Sequence, residues 1–347
     1  MVYIALQVID VKVETDDAVT ICLKQPGLKK IKYLPGQYLT LVFRINGRKY
    51  IRPYSFSSAP NVDQHLEVTV KRVPGGIISN HINDFVKIGN QIEVMPPLGN
   101  FVFDSEKISD DKHIVLWGAG SGITPLISIA KYILNNKTGN KVALVYGNRN
   151  GEQVIFKEKI KRLENDFPDD LKIWHFYTQL KIAENNPRVI QGRISPKMVL
   201  HILKEEVDLQ KTLHFICGPA GLKESVKQTL EGLSISPHNI FTEDFENVKD
   251  PNDFKDIISR NVEMVKDGQV HNIEVTKGQS ILEAGLDALL ELDYSCQTGH
   301  CTICKARILS GSVKTIGVEK TPDGLMEDEC LLCCIYPLSD DVRVSVL

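Results

Sequence analysis

Cys296-Gln297-Thr298-Gly299-His300-Cys301-Thr302-Ile303-Cys304, followed after 28 residues by Cys333, decides what the end of this chain is. Two thiols with four residues between them, a third after two more and a lone distant fourth is the ligand spacing of a [2Fe–2S] cluster. The loop Gln297–His300 supplies the small residue and the backbone N–H groups that thiolate sulfurs need. Four thiolates also suit zinc. Zinc sites usually pair two C-x-x-C knuckles, however, and here only Cys301 and Cys304 form one. Cys296, Cys301, Cys304 and Cys333 are therefore the candidate metal ligands. Cys330 and Cys334 compete with Cys333 for the fourth place. Cys333 stands four residues before Pro337, which would leave the other two as bystanders.

Around that stretch the chain is unusually rich in cysteine. Six of its eight cysteines fall in the last 52 residues, leaving Cys22 and Cys217 alone. A secreted disulfide scaffold would be small and dense in cysteine throughout. Clustering in a large chain points to metal. From Ser259 to Leu347 there are 14 acidic and 8 basic side chains, although the whole chain carries only −3. Such an acidic end would suit a basic protein partner. The rest, slightly basic and without a concentrated patch, excludes a nucleic-acid binder. No apolar run is long enough to cross a bilayer. The start alternates apolar and polar residues like a strand and lacks a signal-peptide layout. The expectation is a cytoplasmic protein with no membrane partner.

At 347 residues, 42% hydrophobic and 24% charged, the chain predicts two or three globular domains. Residues 1–105 read as short strands: Val8–Thr15, Val19–Lys24, Tyr38–Ile45, Lys49–Ser55, His65–Arg72 and Gln91–Met95. Asn46-Gly47 is a hairpin signal, and Pro96-Pro97-Leu98-Gly99-Asn100 closes the region. Six such strands predict an antiparallel β-barrel. Residues 110–246 alternate strands (His113–Trp117, Lys141–Tyr146, Leu171–Tyr177, Leu213–Cys217, Asn239–Phe241) with helices (Leu126–Leu134, Val154–Asp166, Pro196–Leu203, Leu222–Leu233). That alternation predicts an α/β parallel sheet. Residues 247–257 read as a linker. Residues 258–347 give two strands (Val262–Lys266, Val270–Thr276), a helix (Ser280–Leu290) and the cysteine loop, an α+β unit.

Several motifs carry chemistry. In Arg52-Pro53-Tyr54-Ser55 an arginine can hold a diphosphate, an aromatic can stack on a flat ring and a serine can bond a ring nitrogen. Alone this is an ordinary strand end. Gly75-Gly76-Ile77-Ile78-Ser79 adds a glycine turn running into a helix start, an anion site suited to a pyrophosphate. Together they favour a flavin. Gly118-Ala119-Gly120-Ser121-Gly122-Ile123-Thr124-Pro125 follows a strand and opens a helix, the setting that phosphate binding requires. It departs from G-x-G-x-x-G, because position 123 is isoleucine. Tyr146-Gly147-Asn148-Arg149 offers an arginine where NAD-selective sites place an acid, leaning towards NADPH over NADH. Arg193 is a second candidate. Cys217-Gly218-Pro219 ends a strand at the edge where α/β sheets bind ligands, and Glu243 and Phe245 end the last strand.

In this order the motifs resemble the ferredoxin–NADP reductase superfamily, and the tail resembles a plant-type ferredoxin of β-grasp fold. Flavin domain first and ferredoxin last is similar to the reductase components of bacterial oxygenases, that of phenylacetyl-CoA epoxidase most of all. Reductases of ketosteroid hydroxylases, desaturases and hybrid-cluster proteins are the alternatives, and a zinc-stabilised ferredoxin-like binding protein is the non-enzyme one. The resemblance implies FAD, with Arg52 on its diphosphate, Tyr54 and Ser55 against the isoalloxazine, and Gly75, Gly76, Ile78 and Ser79 forming the diphosphate turn. It implies NAD(P)H bordered by Thr124 and Cys217. Ser55, Cys217 and Glu243 become the candidate catalytic residues, with Glu243 a proton relay. The implied activity is an NAD(P)H oxidoreductase that passes electrons through FAD and a [2Fe–2S] cluster to a protein acceptor. A Cys333-Cys334 doublet departs from the single cysteine usual in such proteins.

Overall fold

The computed structural model describes residues 3–27, 30–109, 111–179, 186–206, 209–247, 249–318, 322 and 324–347. Met1 and Val2, the first residues of the strand-like start, lie outside them. Two compact units emerge: Val2–Leu41 with Tyr54–Asp244, and Val42–Pro53 with Phe245–Leu347. Among the described residues no helix is long and apolar enough to cross a membrane.

Strands β1 (Ile4–Thr15), β2 (Ala18–Leu23), β3 (Tyr38–Ile45), β4 (Arg48–Ser55), β5 (Leu66–Lys71) and β6 (Gln91–Leu98) make one sheet in the order β4-β3-β6-β1-β2-β5. Asn46 and Gly47 both take positive φ, 50° and 78°, the backbone that a two-residue hairpin requires. Just past β4, Phe56 bridges to Val68 of β5, and Ser57 N donates to Glu67 O at 2.8 Å. Chain ends of the sheet thereby meet, and the expected barrel closes. Pro96 and Pro97 lie inside β6 rather than after it. The β1 ladder ends at the Ile4–Val94 pair, so neither proline owes β1 an N–H. Helix α1 (Ile77–Phe85) starts at Gly76, as the glycine turn predicts.

The central region is a parallel sheet of β7 (His113–Ala119), β8 (Lys141–Asn148), β9 (Leu171–Tyr177), β10 (Val189–Gln191), β11 (Thr212–Cys217) and β12 (Ile240–Glu243), with α2 (Ile123–Asn135), α3 (Lys157–Asp166), α4 (Pro196–Glu206) and α5 (Ala220–Gly232). Two buried clusters cover its faces, one around Leu116, Ile127, Leu144 and Phe215, the other around Trp117, Val145, Trp174 and Ile216. Strands buried on both sides explain why they read as continuous apolar runs. Helix α3 begins at Lys157 and not at Val154, because Phe156 turns left-handed (φ 64°) and drops into the core. Strand order is β10-β9-β8-β7-β11-β12. The chain runs outward from β7 to β10, then returns to the other side of β7. That reversal puts the topological switch between β7 and β11, and ligands of open α/β sheets bind beyond the strand ends there.

The C-terminal sheet has the order β14-β13-β19-β15-β17, from β13 (Arg260–Lys266), β14 (Gln269–Val275), β15 (Lys305–Ser310), β17 (Glu329–Leu331) and β19 (Arg343–Val346). β16 (Val313–Thr315) and β18 (Ile335–Pro337) pair separately. β13 and β19 run parallel and the other ladders antiparallel. Helix α6 (Ile281–Asp287) carries a capping box, in which Ser280 and Glu283 satisfy each other's backbone N–H groups. This is the expected α+β arrangement.

Candidate functional site

At the switch point the loop after β7 meets the loop after β11. Cys217 pairs with Gly118 on one side and with Glu243 of β12 on the other. A Cβ on Gly122 would run into the Cys217 carbonyl oxygen and stand 2.5 Å from its carbonyl carbon and 2.9 Å from Gly218 N. Gly118 and Gly218 are nearly as tight, against Leu126 and Leu222. Gly120 faces open space with φ 55°. These glycines therefore do two jobs: Gly122 and Gly218 let backbones touch, and Gly120 makes the turn. Thr124 is buried with its hydroxyl on Ser121 O at 3.1 Å, and Pro125 follows inside the first turn of α2. Pro219 caps α5. Tyr146 Oη donates to Gly120 O at 2.9 Å. In the sequence that tyrosine is one more apolar strand residue, and nothing marks it as a brace.

Into the same crevice comes Ser55, buried at the end of β4. Its hydroxyl lies beside Glu243. Burial raises the Glu243 carboxyl to about 8, the Ser55 hydroxyl opposes this, and the Asp244 charge adds to it. Glu243 Oε2 is shielded from solvent and has no hydrogen-bond partner among the described residues. The Cys217 thiol is pushed far above its ordinary value by burial, then by Glu243 and Asp244. It is a neutral thiol and no nucleophile. A serine hydroxyl, a protonated carboxyl with an orphaned oxygen and a neutral thiol thus stand together. This donor set fits the edge of a flavin or nicotinamide ring, where hydrogen bonds and one mobile proton are wanted.

Arg149, exposed past β8, stands at the same carboxyl edge of the sheet. Arg193 is exposed too. Phe245 is 45% exposed.

The barrel supplies the other half. On β4, Arg52 donates to Ile51 O at 2.8 Å, leaving the rest of its guanidinium for a ligand. The turn before α1 is tied by Gly76 N to Val73 O (2.9 Å) and Val73 N to Ser79 Oγ (3.0 Å). Ser79 thus spends its hydroxyl's acceptor on the turn, and Ile78 buries its side chain, so what both offer an anion is mainly backbone N–H. Gly75, at φ 73° with nothing near it, leaves that side open. A diphosphate fits there. Barrel and sheet are fastened by polar contacts, one buried and two partly buried: Ser128 to Ser58 O at 2.6 Å, Lys131 of α2 to Asp63 at 2.5 Å, and Lys159 of α3 to Glu67 at 3.1 Å. Helix α2 begins at the glycine loop, so these contacts set that loop against the barrel. None is signalled by a motif.

In the C-terminal unit, Thr298 N and Cys301 N both point at Cys296 Sγ, at 3.4 Å. With the Cys301 thiol they hold Cys296 far below an ordinary thiol. Cys304 lies against Cys333, which pushes it up. The four thiols therefore stand as two pairs. Among the described residues no three Cys, His, Asp or Glu side chains converge on a single metal position. Two pairs suit a cluster of two irons, each taking two thiolates, better than one tetrahedral zinc. Gly299 is required: at φ 80° a Cβ would meet Val318 at 2.5 Å and Cys334 Sγ at 2.9 Å. Within this unit, Ile51 N of β4 donates to Tyr294 Oη at 3.1 Å, and Arg48 pairs with Asp287 at 2.6 Å. Tyr294 is two residues before Cys296, so one buried phenol ties the strand carrying Arg52 to the cluster loop. Nothing in the sequence distinguishes it.

Known proteins match this arrangement in three successive stretches. Residues 5–103 match the oxidoreductase FAD-binding domain, 116–228 the oxidoreductase NAD-binding domain and 264–338 the 2Fe-2S iron-sulfur cluster binding domain. They define an oxidoreductase of the ferredoxin–NADP reductase type, with FAD, NAD(P)H and a [2Fe–2S] cluster as its cofactors. The ferredoxin reductase component of 3-ketosteroid-9-alpha-monooxygenase from Mycobacterium tuberculosis is 31% identical over 98% of this chain and 95% of its own. A component protein of 1,2-phenylacetyl-CoA epoxidase from Escherichia coli is 28% identical over 98% of this chain and 97% of its own. Phthalate dioxygenase reductase has the same fold, with a TM-score of 0.69 at 21% identity, covering 99% of this chain and 98% of its own. The chain belongs to the family of ferredoxin reductase components built from these three domains.

Proposed function

We propose that this protein takes electrons from NADPH and delivers them one at a time, through FAD and its own [2Fe–2S] cluster, to a partner oxygenase. Its relatives serve a ketosteroid monooxygenase and a phenylacetyl-CoA epoxidase, and an epoxidase-type partner is the reading we adopt. The observation that carries it is the meeting of Ser55, from the barrel, with Cys217 and Glu243 at the switch point of the parallel sheet. FAD exchanges an electron pair with a nicotinamide and single electrons with an iron–sulfur cluster.

The chain's own residues position and shield. Arg52 is assigned to the FAD diphosphate; the turn shaped by Gly75 and Gly76, with the backbone N–H groups of Ile78 and Ser79, is assigned to it as well. Pro53 and Tyr54 lie along the flavin ring. Ser55 bonds its reactive edge. Gly118, Gly120, Gly122, Thr124 and Pro125 seat the dinucleotide, Gly218 and Pro219 complete that seat, and Arg149 takes the 2′-phosphate. Phe245 is assigned to cofactor binding as well. Glu243, neutral near pH 7 by its raised value, can hand a proton to the ring through the Ser55 hydroxyl. Cys296, Cys301, Cys304 and Cys333 ligate the cluster. The functional boundaries are 1–105 (FAD), 110–246 (NADPH), 247–257 (linker) and 258–347 (ferredoxin), in a cytoplasmic protein.

A chain ending at Asp250 tests this reading. It should keep FAD and reduce ferricyanide with NADPH, while its transfer to the oxygenase collapses. Undiminished reduction of the oxygenase by that shortened chain would refute the order of the relay.

A further inference from the structure

Neighbouring residues of an extended chain point their side chains apart. Cys333 and Cys334 do not. Cys334 N donates to Leu331 O at 2.9 Å, and this turn brings the two sulfurs to 3.4 Å. Cys334 is fully buried. Its sulfur faces the cluster loop, 2.9 Å from where a Cβ of Gly299 would stand. Asn247 Nδ2 lies 3.8 Å from the same sulfur as a donor. Cys330 is different, because its sulfur is turned to Ala306 O at 3.4 Å. One spare thiol is therefore at the ligand site and the other is not.

Metal–thiolate bonds of about 2.3 Å put the sulfurs of a tetrahedral site about 3.8 Å apart. The two sulfurs here are closer than that edge. A sulfur at Cys334 can reach the position of Cys333 by a shift smaller than one edge of the site. Asn247 Nδ2 already stands beside the Cys334 sulfur as a donor.

We infer that Cys334 is a reserve ligand, which takes the cluster's fourth position when the Cys333 thiolate is absent. The inference rests on Cys333 being the fourth ligand in the intact protein. In the exchange the Cys334 S–H bond breaks, its proton leaves to solvent, and the thiolate gives its electron pair to the iron. No electron is gained or lost.

The test compares full-length Cys333→Ala, Cys334→Ala and the double variant for iron and acid-labile sulfide per chain. Each is also examined by electron paramagnetic resonance after dithionite reduction, with FAD absorbance reporting the fold. Cys333→Ala should keep most of its iron and show a shifted signal, Cys334→Ala should match the unaltered protein, and the double variant should lose the cluster. A Cys333→Ala protein as poor in iron as the double variant overturns the inference, as does a double variant that keeps its cluster. If Cys334→Ala alone loses the cluster while Cys333→Ala keeps an unshifted signal, the assignment of Cys333 itself fails. Should the alanine variant not accumulate, Cys333→Ser gives the same comparison with and without Cys334.

Discussion

Gly122 is the glycine at which the nucleotide site is most sharply exposed to a single methyl group. In Gly122→Ala the new Cβ would overlap the Cys217 carbonyl, with 2.5 Å to its carbon and 2.9 Å to Gly218 N. Both neighbours are backbone, so no rotamer change relieves the clash. Carbon atoms pack at about 3.5 Å, and the two loops must therefore part by about 1 Å. The Cys217–Gly118 ladder resists that opening. Overpacking of this kind costs roughly 1–3 kcal/mol of stability. Misplacing a reacting group by 1 Å costs on the order of 100-fold in rate. Steady-state reduction of ferricyanide by NADPH should show kcat/KM lower by about that factor. FAD content and the cluster's signal should be retained, since neither the barrel turn nor the cysteine loop is touched. Gly221→Ala is the control: its Cβ meets nothing within 4 Å inside α5, and it should be neutral or slightly stabilising. If Gly122→Ala and Gly221→Ala are indistinguishable in kcat/KM, the close approach of the two loops has no part in nucleotide binding.

Tyr294→Phe should leave Ile51 N buried without its acceptor, at a cost of about 1–3 kcal/mol. Rapid mixing with NADPH should then show cluster reduction slowed while flavin bleaching keeps its rate; equal slowing of both would remove Tyr294 from the relay. Glu243 has a folded value of about 8, above that of an unfolded glutamate, so the native state holds the extra proton in between. Stability contributed by the neutral carboxyl is complete below the unfolded value and is lost as pH rises through about 8. The melting temperature should fall from pH 5.5 to 9 by more in the unaltered protein than in Glu243→Gln, and parallel curves would refute the raised value. Arg149→Ala should narrow a preference for NADPH over NADH mainly through KM, because a charge-assisted contact is worth about 1.5–3 kcal/mol. Equal kinetics with both nucleotides before mutation would reduce Arg149 to a surface charge.

The parts of the fold legible in the sequence were those punctuated by residues with one physical use. Asn46-Gly47 gave the hairpin, the glycines from Gly118 to Gly122 gave the strand–turn–helix, and the cysteine spacing gave the last domain. What escaped lacks such punctuation. β10 is a three-residue edge strand. β15 leaves Cys304 without a turn signal, and β16 to β19 are held by partners distant in sequence. Phe156 looks like a helix residue, and only tertiary packing makes it left-handed. The site shows the same division. Ser55, Cys217 and Glu243 stand at strand ends and were foreseeable there, whereas the raised carboxyl arises only when folding buries Glu243. Tyr146 and Tyr294 are core aromatics whose hydroxyls do the positioning, and Lys131 is a helix cation whose burial depends on Asp63. A sequence does not distinguish these from their ordinary counterparts.

The central claim is the order of electron flow, and anaerobic rapid mixing of the full-length protein with NADPH addresses it directly. Flavin absorbance should bleach first, and the reduced cluster's paramagnetic signal should grow in afterwards. Cys301→Ser, its cluster disrupted, should bleach its flavin at the unaltered rate and deliver nothing to the oxygenase. Cluster reduction that precedes flavin bleaching, or persists in protein stripped of FAD, would contradict the account.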